Sequence, residues 1–243
     1  MAVIEVRNFK KNFGTKTIHE DVSFYVRKGE CLGLVGGSGT GKSVLLRSLI
    51  GLEKSDGGSI QINDQEIVGF SEIQWLQIRK KVGYAFQGGA LFDSMTVFEN
   101  LAYPLLEHTE LNKQQIKDKI TQQLNDFGLN DTESLFPGEL SGGMQKRVGL
   151  ARAMMLEPEI ILYDEPTAGL DPYNTKKIQD LILRLKAKGV TSILVTHDMP
   201  TAFAVCDKFA FLKDKRIIEQ GTLAQLKDSP QSMINQFIEG III

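Results

Sequence analysis

Residues 31–43 read CLGLVGGSGTGKS, an apolar run that leads directly into a glycine-rich loop ending in lysine and serine. Residues 36–43 fit the spacing G-x-x-x-x-G-K-[ST]. Glycines let successive backbone N–H groups turn inward around a phosphate, which side chains would obstruct. A helix that follows such a loop directs its positive end at the same anion. The stretch therefore predicts a buried strand, a phosphate-binding loop and a helix from Ser43 to about Leu52, in that order.

Two side chains at the end of this loop have predicted roles of their own. Lys42 is placed to reach the β- and γ-phosphates of a nucleotide, and the hydroxyl of Ser43 can ligate magnesium. A flexible glycine-rich turn is the alternative, but at an average glycine usage of about 7% a chance match has a probability on the order of 1%. By itself the loop indicates only nucleotide binding, because function belongs to a site rather than to a fold.

Other apolar runs extend this prediction from one strand to a sheet. Residues 160–163 and 192–196 are continuous apolar segments typical of buried parallel strands. Between them, apolar residues recur at helical spacing up to Gly189. These residues are Ile178, Leu181, Ile182 and Leu185. Because strands that alternate with helices form parallel sheets with right-handed crossovers, we predict an α/β fold with a mostly parallel core sheet.

The remaining segments predict two additions to that core. The first thirty residues alternate apolar and polar side chains, as does the stretch 59–63, which predicts an N-terminal antiparallel β subdomain. Residues 88–155 are predicted to be mostly helical and to form an inserted lobe, with a capping box at Asn112 and Gln115. We therefore predict an ATP-binding core from 1–87 and 156–228, a helical subdomain from 88–155 and a tail from 229–243.

Polar residues follow both of the later core strands. Asp164 and Glu165 come directly after residues 160–163, at the sheet edge where ligands of open α/β sheets bind. An aspartate there can hold magnesium, directly or through water, and the neighbouring glutamate can accept a proton from an attacking water. A solvated acidic turn is the alternative. His197 ends at the same edge and is placed to donate a hydrogen bond to a γ-phosphate, although a lone histidine is more often structural.

Composition excludes several classes of protein. The 243 residues are 42% hydrophobic and 24% charged, which is ordinary globular usage and enough chain to bury a core. The 28 basic and 30 acidic residues nearly balance, so we expect no nucleic-acid partner. Cys31 and Cys206 lie in apolar segments, which predicts buried free thiols in a reducing compartment. With no apolar run of about 18 residues and no secretory pattern at Met1, we expect a soluble cytosolic chain.

Residues 140–145, LSGGMQ, lie between the phosphate loop and Asp164, and in that order they resemble the signature motif of ATP-binding cassette (ABC) ATPases. The resemblance covers almost the whole chain, with residues 36–43 as Walker A, 160–165 as Walker B and 168–171 as the D-loop. It implies Phe13, Gly36, Gly37, Ser38, Gly39, Thr40, Gly41, Lys42, Ser43, Gln87, Ser141, Gly142, Gly143 and Gln145 as ATP-binding residues. It further implies catalytic roles for Lys42, Glu165 and the switch histidine His197, and Mg²⁺ organised by Ser43, Gln87 and Asp164.

The signature segment indicates how many chains the site needs. Ser141, Gly142 and Gly143 form a small-residue anion cradle at the start of a helix, although an ordinary N-cap at Ser141 uses the same N–H groups. In the ABC family two cassettes pack head to tail, and each ATP lies between the Walker A motif of one and the signature of the other. This sequence contains one cassette, so the resemblance implies a homodimer with two shared sites.

Residues 87–101, QGGALFDSMTVFENL, resemble more narrowly the MlaF-like ATPases, and Pro104 and residues 145–152 agree. That resemblance implies phospholipid transport between inner and outer membranes, with an MlaE-like permease docking near Gln87–Met95 and an MCE-domain partner. It also implies a peripheral position on the cytoplasmic side of the inner membrane. Leu91, Phe92 and Met95 are candidates for an apolar anchor, with packing inside the helical lobe as an equal alternative.

Two other functions stay open at this point. One is another ABC transport system, such as an amino-acid importer or a lipoprotein-releasing system. The other is a non-transport ABC ATPase, although the usual long coiled-coil insertion or tandem cassette is absent from the sequence. The tail offers one further hypothesis. Ser229-Pro230 is a helix-start pair, and an apolar face follows that we predict to dock on the sister subunit, with packing on its own domain as the alternative. This face comprises Met233, Ile234, Phe237, Ile238 and Ile241.

Overall fold

Ten strands within the described residues, 2–227 and 232–238, form one sheet in this computed structural model. The strands are β1 (Ala2–Phe13), β2 (Lys16–Arg27), β3 (Cys31–Val35), β4 (Gly57–Ile62), β5 (Gln65–Glu66), β6 (Val82–Ala85), β7 (Ile160–Asp164), β8 (Thr191–Val195), β9 (Lys208–Lys213) and β10 (Arg216–Thr222). The helices are α1 (Lys42–Ser48), α2 (Glu72–Lys81), α3 (Val97–His108), α4 (Lys113–Asp126), α5 (Gly142–Ala153), α6 (Pro172–Ala187), α7 (Met199–Val205), α8 (Leu223–Lys227) and α9 (Met233–Ile238), with a 3₁₀ turn at Pro137–Glu139. The strand order is β5-β4-β1-β2-β10-β9-β3-β8-β7-β6.

The predicted parallel core is confirmed. Strand β3 lies between β9 and β8, and β7 lies between β8 and β6, with parallel pairing at each of these contacts. Every residue of β3, β7 and β8 is buried, as is typical of the mostly apolar strands of a parallel sheet. Because these strands run in the same direction, the residues that follow them meet at one edge of the sheet.

The antiparallel subdomain is also confirmed. Strand β1 pairs antiparallel with both β2 and β4, and the buried apolar residues of β2 are Val22, Phe24 and Val26 at alternate positions. The two parts of the sheet meet where β10 pairs with β2 through Arg216 and Asp21. This connection places the end of β1 on the same continuous sheet as the phosphate loop.

The two faces of the core sheet belong to different hydrophobic clusters. On β7, Ile160 and Leu162 pack with α1 and the antiparallel subdomain, whereas Ile161 and Tyr163 pack with α6 and the helical lobe. This division follows from the alternation of side chains along a strand. Cys31 and Cys206 are both buried free thiols, as predicted.

Residues 88–155 contain α3, α4 and α5, in keeping with the predicted helical lobe. The capping box at the start of α4 is present, since the Asn112 side chain accepts a hydrogen bond from the Gln115 N–H at 3.0 Å. The expectation of a helix from Ser43 to about Leu52 was too long. Helix α1 ends at Ser48, and the chain then turns with Gly51 in the left-handed region (φ 71°).

The C-terminal helix α9 packs on its own chain. Ile234 is fully buried, and the ring centroid of Phe237 lies 5.1 Å from that of Phe211 on β9. Within its described residues, the apolar face thus follows the alternative interpretation of the tail. The start at Ser229-Pro230 and residues 239–243, including Ile241, lie outside the described residues. No helix in the described ranges is long and apolar enough to cross a bilayer.

Candidate active site

The glycine-rich loop lies between β3 and α1, in close contact with neighbouring strands. Gly41, at the N-cap of α1, has φ 96°, which side chains rarely tolerate. A Cβ atom at Gly41 would lie 2.5 Å from the Ile18 side chain, and one at Gly36 would lie 2.3 Å from the Leu212 carbonyl oxygen. Glycine is therefore required at both ends of the loop, by the space available as well as by backbone conformation.

Lys42 lies across this loop. Its ammonium group donates hydrogen bonds of 2.8 Å to the carbonyl oxygens of both Gly36 and Gly37, and the residue is 7% exposed. Burial lowers the pKa of Lys42, and the negative charges of Glu165 and Asp164 oppose that effect. The loop thus brings one buried cation to the sheet edge that also carries two carboxylates.

Asp164 is the carboxylate nearest to the start of α1. The Ser43 hydroxyl donates to Asp164 Oδ1 at 2.6 Å, and the Tyr84 hydroxyl donates to Oδ2 at 2.8 Å. Ser43 and Asp164 are 121 residues apart in sequence, so the fold alone brings these oxygens together. A hydroxyl and a carboxylate are the hard oxygen donors that Mg²⁺ takes alongside nucleotide phosphates, so this pair fits such an ion.

Glu165 and His197 form the second polar pair of the edge. Glu165 has φ 51°, in the left-handed region, and its N–H donates to the Val195 carbonyl at 2.9 Å. Its Oε2 lies 2.9 Å from His197 Nδ1 and accepts the His197 backbone N–H at 3.3 Å. The Glu165 side chain is 14% exposed, whereas that of His197 is 70% exposed. The imidazole is therefore anchored on one side by the carboxylate and open on the other.

Two further predicted site residues lie at exposed positions. Phe13, at the end of β1, is 46% exposed, and the ammonium of Lys11 lies 4.5 Å from its ring centroid. Gln87 is exposed just after β6, and in the described part of the chain no hydrogen bond joins it to Ser43 or Asp164. Of the three residues predicted to organise Mg²⁺, the structure thus brings Ser43 and Asp164 into direct contact.

The signature residues surround the start of α5. Ser141 is the N-cap, and its hydroxyl accepts the Met144 N–H at 3.3 Å. Gly142 is exposed with open space beside it, and Gln145 Nε2 donates to the Pro137 carbonyl at 2.8 Å. Across residues 2–227 and 232–238, no hydrogen bond or ion pair joins residues 141–143 to residues 36–43. The signature and the phosphate loop of one chain are therefore separate surfaces.

His19 and Tyr84 are site residues that sequence reasoning missed. The spacing of His19 indicates only a surface or structural residue, but its ring is fully buried and Nε2 lies 3.1 Å from the Gly41 carbonyl oxygen. Burial lowers the pKa of His19, and the hydrogen bond with Gly41 opposes this. Both contacts are long-range, joining residues 22 and 80 positions apart, so no local pattern could have indicated them.

An exposed apolar surface lies beside the segment that follows Gln87. Asn100 is fully buried and donates to the carbonyls of Phe92, Met95 and Thr96 at 3.0–3.1 Å, which fixes the loop before α3. Phe92 remains 43% exposed, in ring contact with Tyr103 at 5.3 Å. Together with Leu106, which is 63% exposed, these two aromatic residues form the surface that we call the lobe patch.

Comparison with known proteins agrees with this geometry. A family model described as "ABC transporter" matches residues 19–168. The chain is 43% identical over 98% of its length to the probable ribonucleotide transport ATP-binding protein mkl of Mycobacterium leprae, of which it spans 69%. It is 41% identical over 94% of its length to the methionine import ATP-binding protein MetN 4 of Oceanobacillus iheyensis, spanning 68%. It is 37% identical over 98% of its length to the intermembrane phospholipid transport system ATP-binding protein MlaF of Escherichia coli, spanning 89%.

Solved structures share the whole fold. An ATP-binding cassette in a dimeric post-hydrolysis state bound to ADP and Pi superimposes with a TM-score of 0.84 at 29% identity, covering 90% of this chain and 98% of that one. CbiO1 of Clostridium perfringens, part of the ABC transporter complex CbiONQ, gives a TM-score of 0.85 at 25% identity, covering 98% and 95%. The predicted α/β class is thereby confirmed.

Proposed function

Because this chain belongs to the ABC transporter family, as an ATP-hydrolysing subunit, we propose that it energises phospholipid transport between the inner and outer membranes. The observation that carries this proposal is the match to MlaF, which extends over 98% of this chain and 89% of that protein. The mycobacterial relatives are more similar in sequence, but the chain spans only about two thirds of their length (69% and 66%). The MlaF-like stretch 87–101 supports the same function.

The phosphates of ATP are bound, in this proposal, by the backbone N–H groups of residues 36–41 and by Lys42. The ammonium of Lys42 exchanges the carbonyls of Gly36 and Gly37 for phosphate oxygens, a substitution that retains charged hydrogen bonding. Phe13 supplies an exposed ring for the adenine base. These contacts hold ATP in place, and cleavage of its terminal phosphate needs further residues.

Ser43 and Asp164 are the residues that would hold Mg²⁺, with Gln87 as a further ligand from the loop after β6. When bound, the ion supplies charge neutralisation to the phosphates. The protein's own contribution is to keep a hydroxyl and a carboxylate oxygen 2.6 Å apart at the end of the phosphate loop.

Glu165 is the proposed general base. Its carboxylate accepts a proton from the water that attacks the γ-phosphate, and its low exposure limits competing solvent. His197 holds this carboxylate through its Nδ1 and presents the other side of the ring to the γ-phosphate. One side chain thus orients the base and stabilises the developing charge.

The site is completed by a second copy of the chain. In the proposed homodimer, Ser141 of the partner subunit reaches the γ-phosphate that Lys42 holds. Two observations support this arrangement: in the part of the chain that the structure describes, no hydrogen bond or ion pair joins the exposed start of α5 to its own phosphate loop, and a cassette of the same fold forms a dimer. ATP then joins the two subunits, and hydrolysis removes that link.

The lobe patch is the proposed contact with an MlaE-like permease, near Gln87–Met95. Phe92, on a loop held by Asn100 and Arg152, and Tyr103, on α3, are exposed aromatic residues, as suits an anchor for a partner helix. An MCE-domain protein joins through the permease, and the chain is held at the cytoplasmic side of the inner membrane. Transport of ribonucleotides is the second candidate, favoured by the 43% identity to mkl, and methionine import is the third.

Co-purification from membranes tests the cargo. We expect the tagged chain to be isolated in detergent with an MlaE-like permease and an MCE-domain protein, and phospholipid to be found in that complex by mass spectrometry. A matched preparation of Phe92→Asp should contain about tenfold less, or still less, of both partners and of the lipid. Isolation of an importer permease with a soluble substrate-binding protein instead would exclude phospholipid transport while leaving the ATPase intact.

A further inference from the structure

Tyr84 provides one of two hydrogen bonds that hold the Asp164 carboxylate. The Tyr84 hydroxyl donates to Oδ2 at 2.8 Å, and the Ser43 hydroxyl donates to Oδ1 at 2.6 Å. Each carboxylate oxygen therefore has its own donor, from a different element of the fold. A rotation of the carboxylate about its Cβ–Cγ bond would break both hydrogen bonds at once.

The ring of Tyr84 is fixed by the surrounding core. Strand β6 pairs in parallel with β7, with Tyr84 opposite Leu162, and the tyrosine is only 8% exposed. Its cluster includes Leu45 and Leu46 of α1, and its ring centroid lies 4.2 Å from that of Phe86. Because a packed core leaves few rotamers open, the hydroxyl is held in one place.

The hydroxyl also stays protonated at neutral pH. Burial, together with the negative charge and hydrogen bond of Asp164, raises the pKa of Tyr84 far above its ordinary value, while the positive charge of Arg47 acts in the opposite direction. The phenol is therefore a donor to a charged acceptor, which is the stronger class of hydrogen bond.

We propose that Tyr84 is a positioning residue that keeps Asp164 Oδ1 beside the Ser43 hydroxyl, so that both oxygens are ready for the Mg²⁺ of a bound nucleotide. This inference rests on the magnesium role proposed above for Asp164. Tyr84 acts through Asp164, to which its hydroxyl donates. Tyr84 lies three residues before Gln87, so strand β6, which leads to Gln87, also holds the carboxylate proposed to bind Mg²⁺.

The test is the coupling between Mg²⁺ and ATP binding, measured by calorimetry in a Glu165→Gln background that does not turn over. The dissociation constant for ATP is measured once in EDTA and once in excess Mg²⁺. The value in EDTA divided by the value in Mg²⁺ gives the factor by which Mg²⁺ strengthens ATP binding, and this ratio is the coupling. Tyr84→Phe keeps the ring and removes the hydroxyl. We expect it to lower the ratio by about tenfold while the affinity in EDTA stays within about twofold, since about tenfold is the lower end of what a hydrogen bond to a charged group contributes.

Three further variants make the result decisive. Tyr25→Phe removes a phenol hydroxyl on β2, away from Asp164, and should leave the ratio unchanged. Asp164→Asn should lower the ratio, and adding Tyr84→Phe to it should have no further effect. An unchanged ratio in Tyr84→Phe, or an equal loss with and without Asp164, would overturn the positioning role. An unchanged ratio in Asp164→Asn alone would instead overturn the metal role on which the inference rests.

Discussion

The phosphate loop and the signature segment are both rich in glycine and serine, and both precede a helix, yet they have opposite surroundings. Both ends of the loop are enclosed by their own chain, with Gly36 against Leu212, Gly41 against Ile18 and His19, and Lys42 bonded to two loop carbonyls, while Ser38 and Gly39 at its tip are exposed. The start of α5 is exposed at Ser141, and Gly142 has open space beside it. The phosphate loop therefore has its packing partners within one chain, whereas the start of α5 is left exposed.

This difference indicates which steps a single chain can perform. Holding phosphates, orienting Asp164 and holding Glu165 use contacts already present in one copy. In the proposed dimer the γ-phosphate also needs Ser141 of the partner subunit, and among the described residues no hydrogen bond or ion pair joins residues 141–143 to residues 36–43 of the same chain. We therefore expect ATP binding and ATP hydrolysis to respond differently to substitutions near the phosphate loop and to substitutions in the signature segment.

The largest effect is expected on the enclosed side, at the general base. Glu165→Gln removes the proton acceptor but keeps the shape of the side chain and its contact with His197. We expect phosphate release to fall by about 10³-fold, within the range for loss of a general base. ATP should still bind, and an ATP-dependent dimer should accumulate in analytical ultracentrifugation. Glu159→Gln, at the other end of β7, is the matched control and should hydrolyse normally; near-normal turnover in Glu165→Gln would remove the base from its role.

The comparison itself is tested by mixing two inactive variants. Lys42→Ala damages the enclosed loop, and Ser141→Arg blocks the open cradle with a bulky cation. Each alone should lose about 10²-fold in hydrolysis, the scale of losing one preorganised contact to the transition state. When the two are mixed, a heterodimer contains one site built from an intact loop and an intact signature. Statistical exchange then restores about a quarter of wild-type activity in a two-fold symmetric dimer.

The activity of the mixture distinguishes a site shared between two chains from a site formed within one chain. If the signature served the loop of its own chain, every site in the mixture would contain one damaged element and activity would stay at the level of the single variants. Ser141→Arg should also bind ATP as a monomer with unchanged affinity, because no hydrogen bond or ion pair of the described residues joins Ser141 to residues 36–43.

The enclosed side was largely predictable from sequence, since its strands and loop are encoded by contiguous residues. The apolar run before Gly36, the run before Asp164 and the capping box at Asn112 each carry a local pattern, and each gave the right element. Helix α1 was predicted too long because its amphipathic pattern continues into the turn at Gly51. Local sequence patterns therefore predict which helices and strands are present more reliably than they predict the residues at which these elements end.

The contacts that shape the site were less predictable. Tyr84 is one of several aromatic residues in its segment, and only the pairing of β6 with β7 directs its hydroxyl to Asp164. His19 lies in an alternating strand, where nothing in the pattern indicates a loop 22 residues later. The sequence gives the chemistry of these groups, whereas tertiary packing gives their partners.

A smaller effect is expected at the second open surface, the lobe patch. Phe92→Asp places a charge in an exposed aromatic pair whose loop is already held by Asn100, so the chain itself should fold normally. We expect assembly with the permease, measured by co-purification from membranes, to weaken by about tenfold or more, as for an aromatic interface anchor. Ile218→Asp, another partly exposed apolar site on β10, is the control. Equal assembly by both variants would show that the lobe patch is not the permease contact.

The smallest effect is expected at His19, which is fully buried next to the phosphate loop. Its Nε2 lies 3.1 Å from the carbonyl oxygen of Gly41. Burial lowers the pKa of His19 below its ordinary value of about 6.5, so as the pH falls through that value the unfolded chain binds a proton that the folded chain does not. Stability is therefore retained above pH 6.5 and lost in acid. His19→Gln keeps a neutral donor for Gly41 and cannot be protonated, so its loss in Tm between pH 7.5 and 5.5 should be smaller than that of the wild type by about 2–4 °C.

His108→Gln provides the control for this change, because His108 is exposed on α3 and should leave the acid-induced loss in Tm unaltered. An equal loss in wild type and His19→Gln would mean that water reaches the imidazole in the folded chain. The region around His19, next to the phosphate loop, would then be accessible to water. The difference between the enclosed loop and the exposed signature segment would then rest only on the burial of Lys42 and the exposure of Ser141.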